Sequence, residues 1–218
     1  MDFALYSSSV CGYEGNSCLA VVAKRGIMYA IAPLTSEGLM HFQKVIDFWF
    51  SELPPSAWFE GGQSLDDDIS ARFGEVHRAA IAGELYSWRH EPLGRLAEII
   101  VLDQFSRNIH RGIPSAFSAD GQALILAQEA IRTRADTVLS KPQRVFMYMP
   151  YMHSESLAIQ CASIRLFEAV AIANNTRFAQ HHYNIIAEFG RYPHRNNILG
   201  RESTEAELAF LAKPGSSF

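Results

Sequence analysis

The sequence has few cysteines, no excess of basic residues and no long apolar run, and each shortage argues against a class of protein. Its three cysteines, Cys11, Cys18 and Cys161, form neither a CxxC pair nor a disulfide framework, which predicts a reducing, cytoplasmic setting. No stretch approaches the ~20 apolar residues of a membrane-spanning helix. Its 19 basic residues are outnumbered by 23 acidic ones and the formal net charge is −4, so a nucleic-acid or membrane partner is not expected.

Arginine supplies most of the positive charge. It accounts for fifteen of the 19 basic residues, and its planar, multi-donor guanidinium suits contacts with carboxylate or phosphate groups. A GC-rich coding sequence would produce the same ratio, so composition alone leaves both explanations open. The sequence contains no GxSxG, P-loop or GxGxxG motif. These absences argue against the commonest active sites of hydrolases and the commonest binding sites for nucleotide triphosphates and dinucleotides.

The chain is long enough for one domain with a sizeable core, since 48% of its 218 residues are hydrophobic. Residues 1–38 differ from the remainder, because they combine Ser, Gly and Cys with short apolar pieces and show no helical period. We expect them to form a loosely ordered N-terminal appendage. A strand-like appendage and a natural start at Met28 or Met40 remain open. Residues 39–218 are expected to form a single domain.

From Leu39 onwards, apolar residues recur at three- and four-residue steps, the period of an amphipathic helix. Gly and Pro residues divide this pattern into seven or eight helices with short connections; for example, Pro150 is predicted to close a short helix that opens at Lys141. No period-two strand follows residue 38. The sequence therefore predicts an all-α fold of antiparallel helical hairpins.

Two helix starts are predicted from capping-box spacing. Ser64 with Asp67, and Thr204 with Glu207, each place an acidic residue three positions after a hydroxyl side chain. Residues 66–68 are all acidic and would lie in a first helical turn, where the helix dipole favours negative charge. We interpret them as a solvated charge cluster rather than a metal site.

Residues 189–207 concentrate cationic and amide groups near the end of the helical region. The stretch reads FGRYPHRNNILGRESTEAE. Gly190, Pro193 and Gly200 hold it out of regular structure. We interpret it as a folded-back loop that lines a polar pocket.

Four segments carry most of the polar chemistry, and they read LDQFSRNIHRG (102–112), AFSAD (116–120), YMPYMHSES (148–156) and HHYNIIAEFGRYPHRNNILGREST (181–204). In these segments the chain resembles the bacterial DUF924 family of unknown function, over roughly residues 40–218. The resemblance implies a helical fold similar to tetratricopeptide-like (TPR-like) α-α superhelices, and it implies no established activity. Any functional prediction must come from the residues themselves.

Side chains from these segments are predicted to converge on one pocket. On a helix, Asp103, Arg107 and Arg111 lie four residues apart along one face, and one carboxylate cannot neutralise two arginines, so a surplus positive field is expected. Arginines with histidines and amides suit a small anionic ligand, a phosphate or carboxylate. The predicted ligand-binding residues are Asp103, Arg107, Asn108, Arg111, His182, Arg191, Arg195, Asn196 and Arg201.

Catalysis in that pocket, of a hydrolase or transferase type, is a narrower hypothesis. The candidate catalytic residues are His153, Glu155 and His194. Either histidine could act as acid or base near neutral pH, with Glu155 orienting an imidazole and arginines stabilising developing charge. No cofactor and no metal are predicted, because HExxH and paired-cysteine spacings are absent and nearby arginines would repel a cation.

Two alternatives stay open. In the first, the arginines brace helix ends by bonding terminal carbonyls and acidic residues, with Asp103, Glu155 and Glu188 as counter-ions. In the second, the chain is a TPR-like scaffold that binds a protein or peptide in a helical groove, and its arginines and histidines are structural. The sequence does not indicate an oligomeric state.

Overall fold

A computed structural model describes residues 20–24, 27–31 and 40–216 of the chain. The chain divides into two compact units, Met1–Met40 and His41–Phe218. In the first unit, strands β1 (Ala20–Lys24) and β2 (Ile27–Ile31) pair antiparallel, with Ala20 opposite Ile31. This hairpin falls within the predicted appendage. The expectation of loose order for the rest of residues 1–38 lies outside the described residues.

The second unit is helical, which confirms the all-α prediction for residues 41–216, where the structure contains no strand. Its α-helices are α1 (Phe42–Asp47), α2 (Ala57–Glu60), α3 (Gln63–Ile81), α4 (Pro92–Ile100), α5 (Ser106–Ile109), α6 (Asp120–Arg132), α7 (Lys141–His153), α8 (Leu157–Val170), α9 (Ala173–Phe189) and α10 (Glu205–Leu211). These ten exceed the predicted seven or eight for two reasons. The single turn α2 has no apolar period, and a π-helical segment separates α5 from α4.

Helix α4 lies at the centre of this unit. It contacts α1, α6 and α7, and its residues Leu96, Ala97, Ile99 and Ile100 are fully buried. Successive helices from α6 to α9 also contact one another, as expected for helices joined by short loops; the TPR-like superhelix stays a prediction. Among the described residues, no helix is both long and apolar enough to cross a membrane.

Helix α7 contradicts the prediction that Pro150 closes a helix. It begins at a capping box formed by Ser140 and Gln143 and continues through Pro150 to His153. A proline inside a helix removes one hydrogen bond and costs about 3 kcal/mol. Residues 145–152 are all buried, and at roughly 25 cal/mol per Å² of apolar surface their burial outweighs that cost. The continued helix delivers His153 to the site described below.

The two predicted capping boxes have different outcomes. Thr204 and Glu207 form one at the start of α10, as predicted. The Ser64 box is wrong, because α3 begins two residues earlier than the box requires, with Gly62 rather than Ser64 as its N-cap, and no side chain caps it. Asp66, expected to be solvated, is only 6% exposed, because residues distant in sequence bind its carboxylate.

Candidate functional site

A cavity of about 360 Å³ lies where α7 ends, beside the start of α6 and the loop that follows α9. Three of the four segments singled out in the sequence contribute to its wall, those at 116–120, 148–156 and 181–204. We call it the His153 cavity, and it is lined by Pro114, Phe117, Ser118, Asp120, Gly121, Leu124, His153, Ser154, Glu155, Arg195 and Leu199. It thus combines an apolar wall with a few charged and hydroxyl groups, as ligand sites commonly do.

Asp103 supports His153 from behind the cavity wall. It lies in the π-helical segment Val101–Phe105 and is 1% exposed; π turns are frequent at functional sites. Its Oδ1 lies 2.7 Å from His153 Nδ1, and its Oδ2 accepts a hydrogen bond from Gln104 Nε2 at 2.5 Å. Glu155 was predicted to orient an imidazole, but the carboxylate in contact with His153 is that of Asp103, which is 50 residues away in the chain.

The protonation of this pair follows from its surroundings. Burial raises the pKa of the Asp103 carboxyl, but the charge of Arg107, the electrostatic interaction with His153 and the hydrogen bonds to His153 and Gln104 outweigh burial and leave the pKa well below its ordinary value. Burial and the charge of Arg107 lower the pKa of His153, against an opposing effect of Asp103. The pair is therefore a carboxylate beside a neutral imidazole at neutral pH.

Asp120 is shared by two arginines. Its Oδ1 lies 3.0 Å from Arg107 Nη1, and its Oδ2 accepts from Arg107 Nη2 and from Arg195 Nη1, each at 3.1 Å. Arg107 also donates to the backbone oxygen of Asp103 at 2.6 Å. One carboxylate therefore links the π-helical segment to the loop after α9.

Arg195 is the arginine of the cavity wall, and 5% of its surface is exposed. Its guanidinium stacks between Phe117 and Tyr192, 4.5 and 4.7 Å from the two ring centroids, and its Nη2 donates to the backbone oxygen of His153 at 3.1 Å. Its Nε is buried and has no hydrogen-bond acceptor within the described residues. Burial lowers the pKa of Arg195, an effect that Asp120 opposes.

Glu155 binds the loop rather than an imidazole. Its two carboxylate oxygens face Arg201 Nη1 and Nη2 at 2.7 and 3.0 Å, and Oε1 also accepts from the backbone N–H of Tyr192 at 2.8 Å. Burial raises the pKa of Glu155, but these bonds outweigh it and lower the pKa overall. Glu155 lines the cavity with both oxygens already engaged.

The charges around the His153 cavity balance, so the predicted surplus of positive field is wrong for the described residues. Three arginines, Arg107, Arg195 and Arg201, face three carboxylates, Asp103, Asp120 and Glu155. The prediction counted Asp103 alone and did not include Asp120, which lies within the AFSAD segment. Within the described residues, no group of three or more His, Cys, Asp or Glu is placed to hold a metal ion.

Two of the predicted ligand-binding residues lie in another cluster. Asn108 Nδ2 and Arg111 Nε and Nη2 bind the Asp66 carboxylate at 2.8, 2.5 and 2.8 Å. Arg111 leaves the face shared by Asp103 and Arg107 because α5 ends at Ile109. The helical spacing that predicted a common face therefore fails beyond that residue.

The remaining predicted residues stabilise the loop around the cavity without lining it. Arg191 forms a two-point ion pair with Glu207, and Asn196 Nδ2 donates to Ser203 Oγ at 3.0 Å. His182 and His194 lie with ring centroids 5.6 Å from that of Tyr192. Burial lowers the pKa of His182 to about 3 and that of His194 to about 4. The Tyr192 hydroxyl donates to the Met152 backbone oxygen at 2.5 Å and thereby anchors the loop to α7.

Comparisons with known proteins give a family and a structural relative. The family described as "Bacterial protein of unknown function (DUF924)" matches residues 45–215. A solved structure of a protein of unknown function from Agrobacterium tumefaciens is 36% identical, with a TM-score of 0.75, over 78% of this chain and 96% of that one. No curated protein matches the chain significantly. The resemblance noted in the sequence is confirmed, and the chain belongs to the DUF924 family of bacterial proteins of unknown function.

Proposed function

We propose that the His153 cavity binds a small molecule through an anionic group, and that Arg195 is the residue that holds this group. The observation that carries the proposal is the Arg195 guanidinium, a buried cationic group that lines the cavity together with the Ser118 and Ser154 side chains. Arg195 Nη1 and Nη2 each make one hydrogen bond, to Asp120 and to the His153 backbone oxygen, and each carries a second N–H for an oxygen of a ligand. Charge-assisted bonds from a guanidinium to such an oxygen are among the stronger hydrogen bonds in proteins.

The charge balance favours a singly charged group such as a carboxylate over a phosphate dianion. Asp120 and Glu155 both line the cavity, and each is already paired with arginine. Because these pairs already balance, each negative charge on the ligand adds to the repulsion from the carboxylates, and a dianion is opposed more than a group with a single charge. The Ser118 and Ser154 hydroxyls and the apolar side chains of Leu124 and Leu199 would orient the uncharged part of the ligand.

A scaffold that binds a peptide or protein is the second candidate. Phe59 supports it, because this ring is 68% exposed and stacks on Phe146 with centroids 6.4 Å apart. In that case the ion pairs around the His153 cavity serve only to hold the loop. Ligand binding by the cavity separates the two proposals.

A thermal-shift titration of the full chain tests the first proposal. We expect acetate, pyruvate or benzoate to raise the melting temperature, by roughly 5–10 °C at a hundredfold excess over Kd, and inorganic phosphate to have a smaller effect. Leu199→Trp narrows the cavity while keeping every charge, and Arg195→Lys keeps the charge but loses the forked donor. Both should weaken binding at least about tenfold, a loss of about 1.4 kcal/mol.

The matched control is Arg111→Ala, which removes an arginine that binds Asp66 and does not line the cavity. It should leave the shift unchanged. The proposal is overturned if none of these anions raises the melting temperature, or if the shift persists in Leu199→Trp. A larger shift with phosphate than with any carboxylate would contradict the argument from charge balance.

A further inference from the structure

We propose that His153 is the general base of the cavity, accepting a proton at Nε2, and that Asp103 is the positioning residue that fixes the tautomer of its ring. This inference rests on the proposed function, because it requires a molecule bound in the same cavity. It assigns that molecule a chemical feature besides its anionic group. A hydroxyl of the ligand, or a water held beside it, must reach Nε2.

The geometry fixes which nitrogen carries the proton. An ionised carboxylate has no proton to donate, so the 2.7 Å contact between Asp103 Oδ1 and His153 Nδ1 requires the hydrogen to lie on Nδ1. The lone pair of the neutral ring then lies on Nε2. Since Nδ1 is engaged behind the wall, Nε2 is the nitrogen that His153 can present to a molecule in the cavity.

The groups around His153 keep the ring neutral but allow it to become charged during a reaction. Those that face it from neighbouring elements are Asp103, Arg107, Asp120, His182, His194 and Arg195. Burial and Arg107 lower the pKa of His153, so Nε2 is unprotonated at pH 7 and available as an acceptor. The carboxylates of Asp103 and Asp120 then lie where they offset the charge of an imidazolium.

The proposed step is a single proton transfer. The O–H bond of the hydroxyl or water breaks as the Nε2–H bond forms, and the electron pair of the broken bond stays on oxygen. The ring becomes an imidazolium that donates through Nδ1 to Asp103, which keeps its negative charge. The guanidinium of Arg195 donates to the His153 backbone oxygen and lines the same cavity, so it would offset negative charge that develops on the oxygen of the hydroxyl or water.

Nitrogen NMR of the full wild-type chain at pH 7 tests the tautomer without any substitution. We expect His153 to show a protonated Nδ1 and an unprotonated Nε2. Carbethoxylation by diethyl pyrocarbonate, which requires an unprotonated ring nitrogen, tests its availability, with the exposed His90 as reference within the same molecule. The rate of carbethoxylation at His153 should rise with pH as the imidazolium loses its proton, with a midpoint below pH 6.5.

Asp103→Asn gives the matched comparison, because an amide can donate to Nδ1 and move the ring proton to Nε2. The rate at His153 relative to His90 should then fall about tenfold or more, since the wrong tautomer removes the base. The inference is overturned if the wild-type ring carries its proton on Nε2, or if Asp103→Asn folds and leaves the relative rate unchanged. Carboxylate binding measured on the wild-type chain keeps the two proposals apart: binding without the expected tautomer sinks only this inference, whereas absence of binding sinks the proposed function and, with it, the role of His153 as a base.

Discussion

Arg201 and Glu155 form a two-point ion pair across 46 residues of chain, with nitrogen–oxygen distances of 2.7 and 3.0 Å. The same carboxylate accepts from the backbone N–H of Tyr192 at 2.8 Å. Three donors of the loop after α9 therefore converge on one side chain just past the end of α7. The position of Arg195 at the cavity depends on this connection, because Arg195 follows Tyr192 by one short 3-10 turn.

Glu155→Ala should lower the free energy of unfolding by about 2–3 kcal/mol, because it leaves the Arg201 guanidinium and the Tyr192 N–H without their acceptor in a partly buried place. Glu155→Gln keeps one acceptor oxygen, so its free energy of unfolding should fall by about half as much as that of Glu155→Ala. Urea unfolding followed by tryptophan fluorescence measures both. Equal losses for the two substitutions would show that the carboxylate acts through packing rather than through its hydrogen bonds.

His182 should make the domain sensitive to mild acid. Its pKa is lowered by burial from 6.5 to about 3, so below pH 6.5 the unfolded chain binds a proton that the folded chain does not. Stability then falls as pH falls, by up to about 1.4 kcal/mol per pH unit for this residue. Above pH 4.5 the carboxylates with lowered pKa, such as Glu207, contribute little to the slope, since their stabilisation is lost only below their ordinary values.

His182→Asn tests this by replacing the ring with an amide that can still donate to the Phe178 backbone oxygen, which His182 Nδ1 contacts at 2.8 Å. Between pH 6.5 and 4.5 the free energy of unfolding should depend less steeply on pH than in the wild type, by about 1.4 kcal/mol per unit at most. His90→Asn, at an exposed position, should leave the slope as it is. If the pH dependence of the free energy of unfolding is the same in His182→Asn as in the wild type, His182 does not cause the sensitivity to acid.

The elements that the sequence predicted well are those set by local patterns. The helical period predicts the all-α unit, and the Thr204–Glu207 spacing predicts the start of α10. The continuation of α7 through Pro150 was not predictable in this way, because burial by distant helices decides it. The π-helical segment that carries Asp103 has no recognisable local signal either.

The candidate site was predictable by residue type but not by pairing. Of the predicted arginines and histidines, His153 and Arg195 line the described cavity, and their carboxylate partners lie 50 and 75 residues away in the chain. Asp103 rather than Glu155 contacts His153 for that reason. Asp120 was missed because it reads as an ordinary first helical residue until Arg107 and Arg195 are placed beside it.

Gly94 is required by close packing. A Cβ at this position of α4 would lie 2.1 Å from the backbone oxygen of Trp88, which cannot move aside as a flexible side chain would. Gly94→Ala should therefore lower the free energy of unfolding by about 3 kcal/mol or more, as overpacking does. Gly74, inside α3, has open space around the same position, so Gly74→Ala should stabilise the domain by about 0.4–1 kcal/mol. Denaturant unfolding measures both variants. If the packing is as described, the free energy of unfolding falls in Gly94→Ala and rises in Gly74→Ala.

Arg111 and Asp66 should stabilise the fold without affecting the His153 cavity. Asp66 has a side chain that is 7% exposed and accepts two bonds from Arg111 and one from Asn108, whereas the Arg111 side chain is 54% exposed. Arg111→Ala leaves the nearly buried Asp66 carboxylate with one donor, so the free energy of unfolding should fall by about 1–2 kcal/mol. The loss is no larger because solvent screens the ion pair on the exposed side of Arg111.

A double-mutant cycle separates this pair from the cavity. Asp66→Asn removes the charge that Arg111 neutralises, so Asp66→Asn with Arg111→Ala should destabilise the domain less than the sum of the two single changes, by about 0.5–1 kcal/mol. Carboxylate affinity should be the same in all four proteins, because neither residue lines the cavity. If Arg111→Ala instead weakened binding as strongly as Arg195→Lys, the ligand site would extend to the Asp66 cluster, and the original grouping of Arg107 with Arg111 would be the correct one.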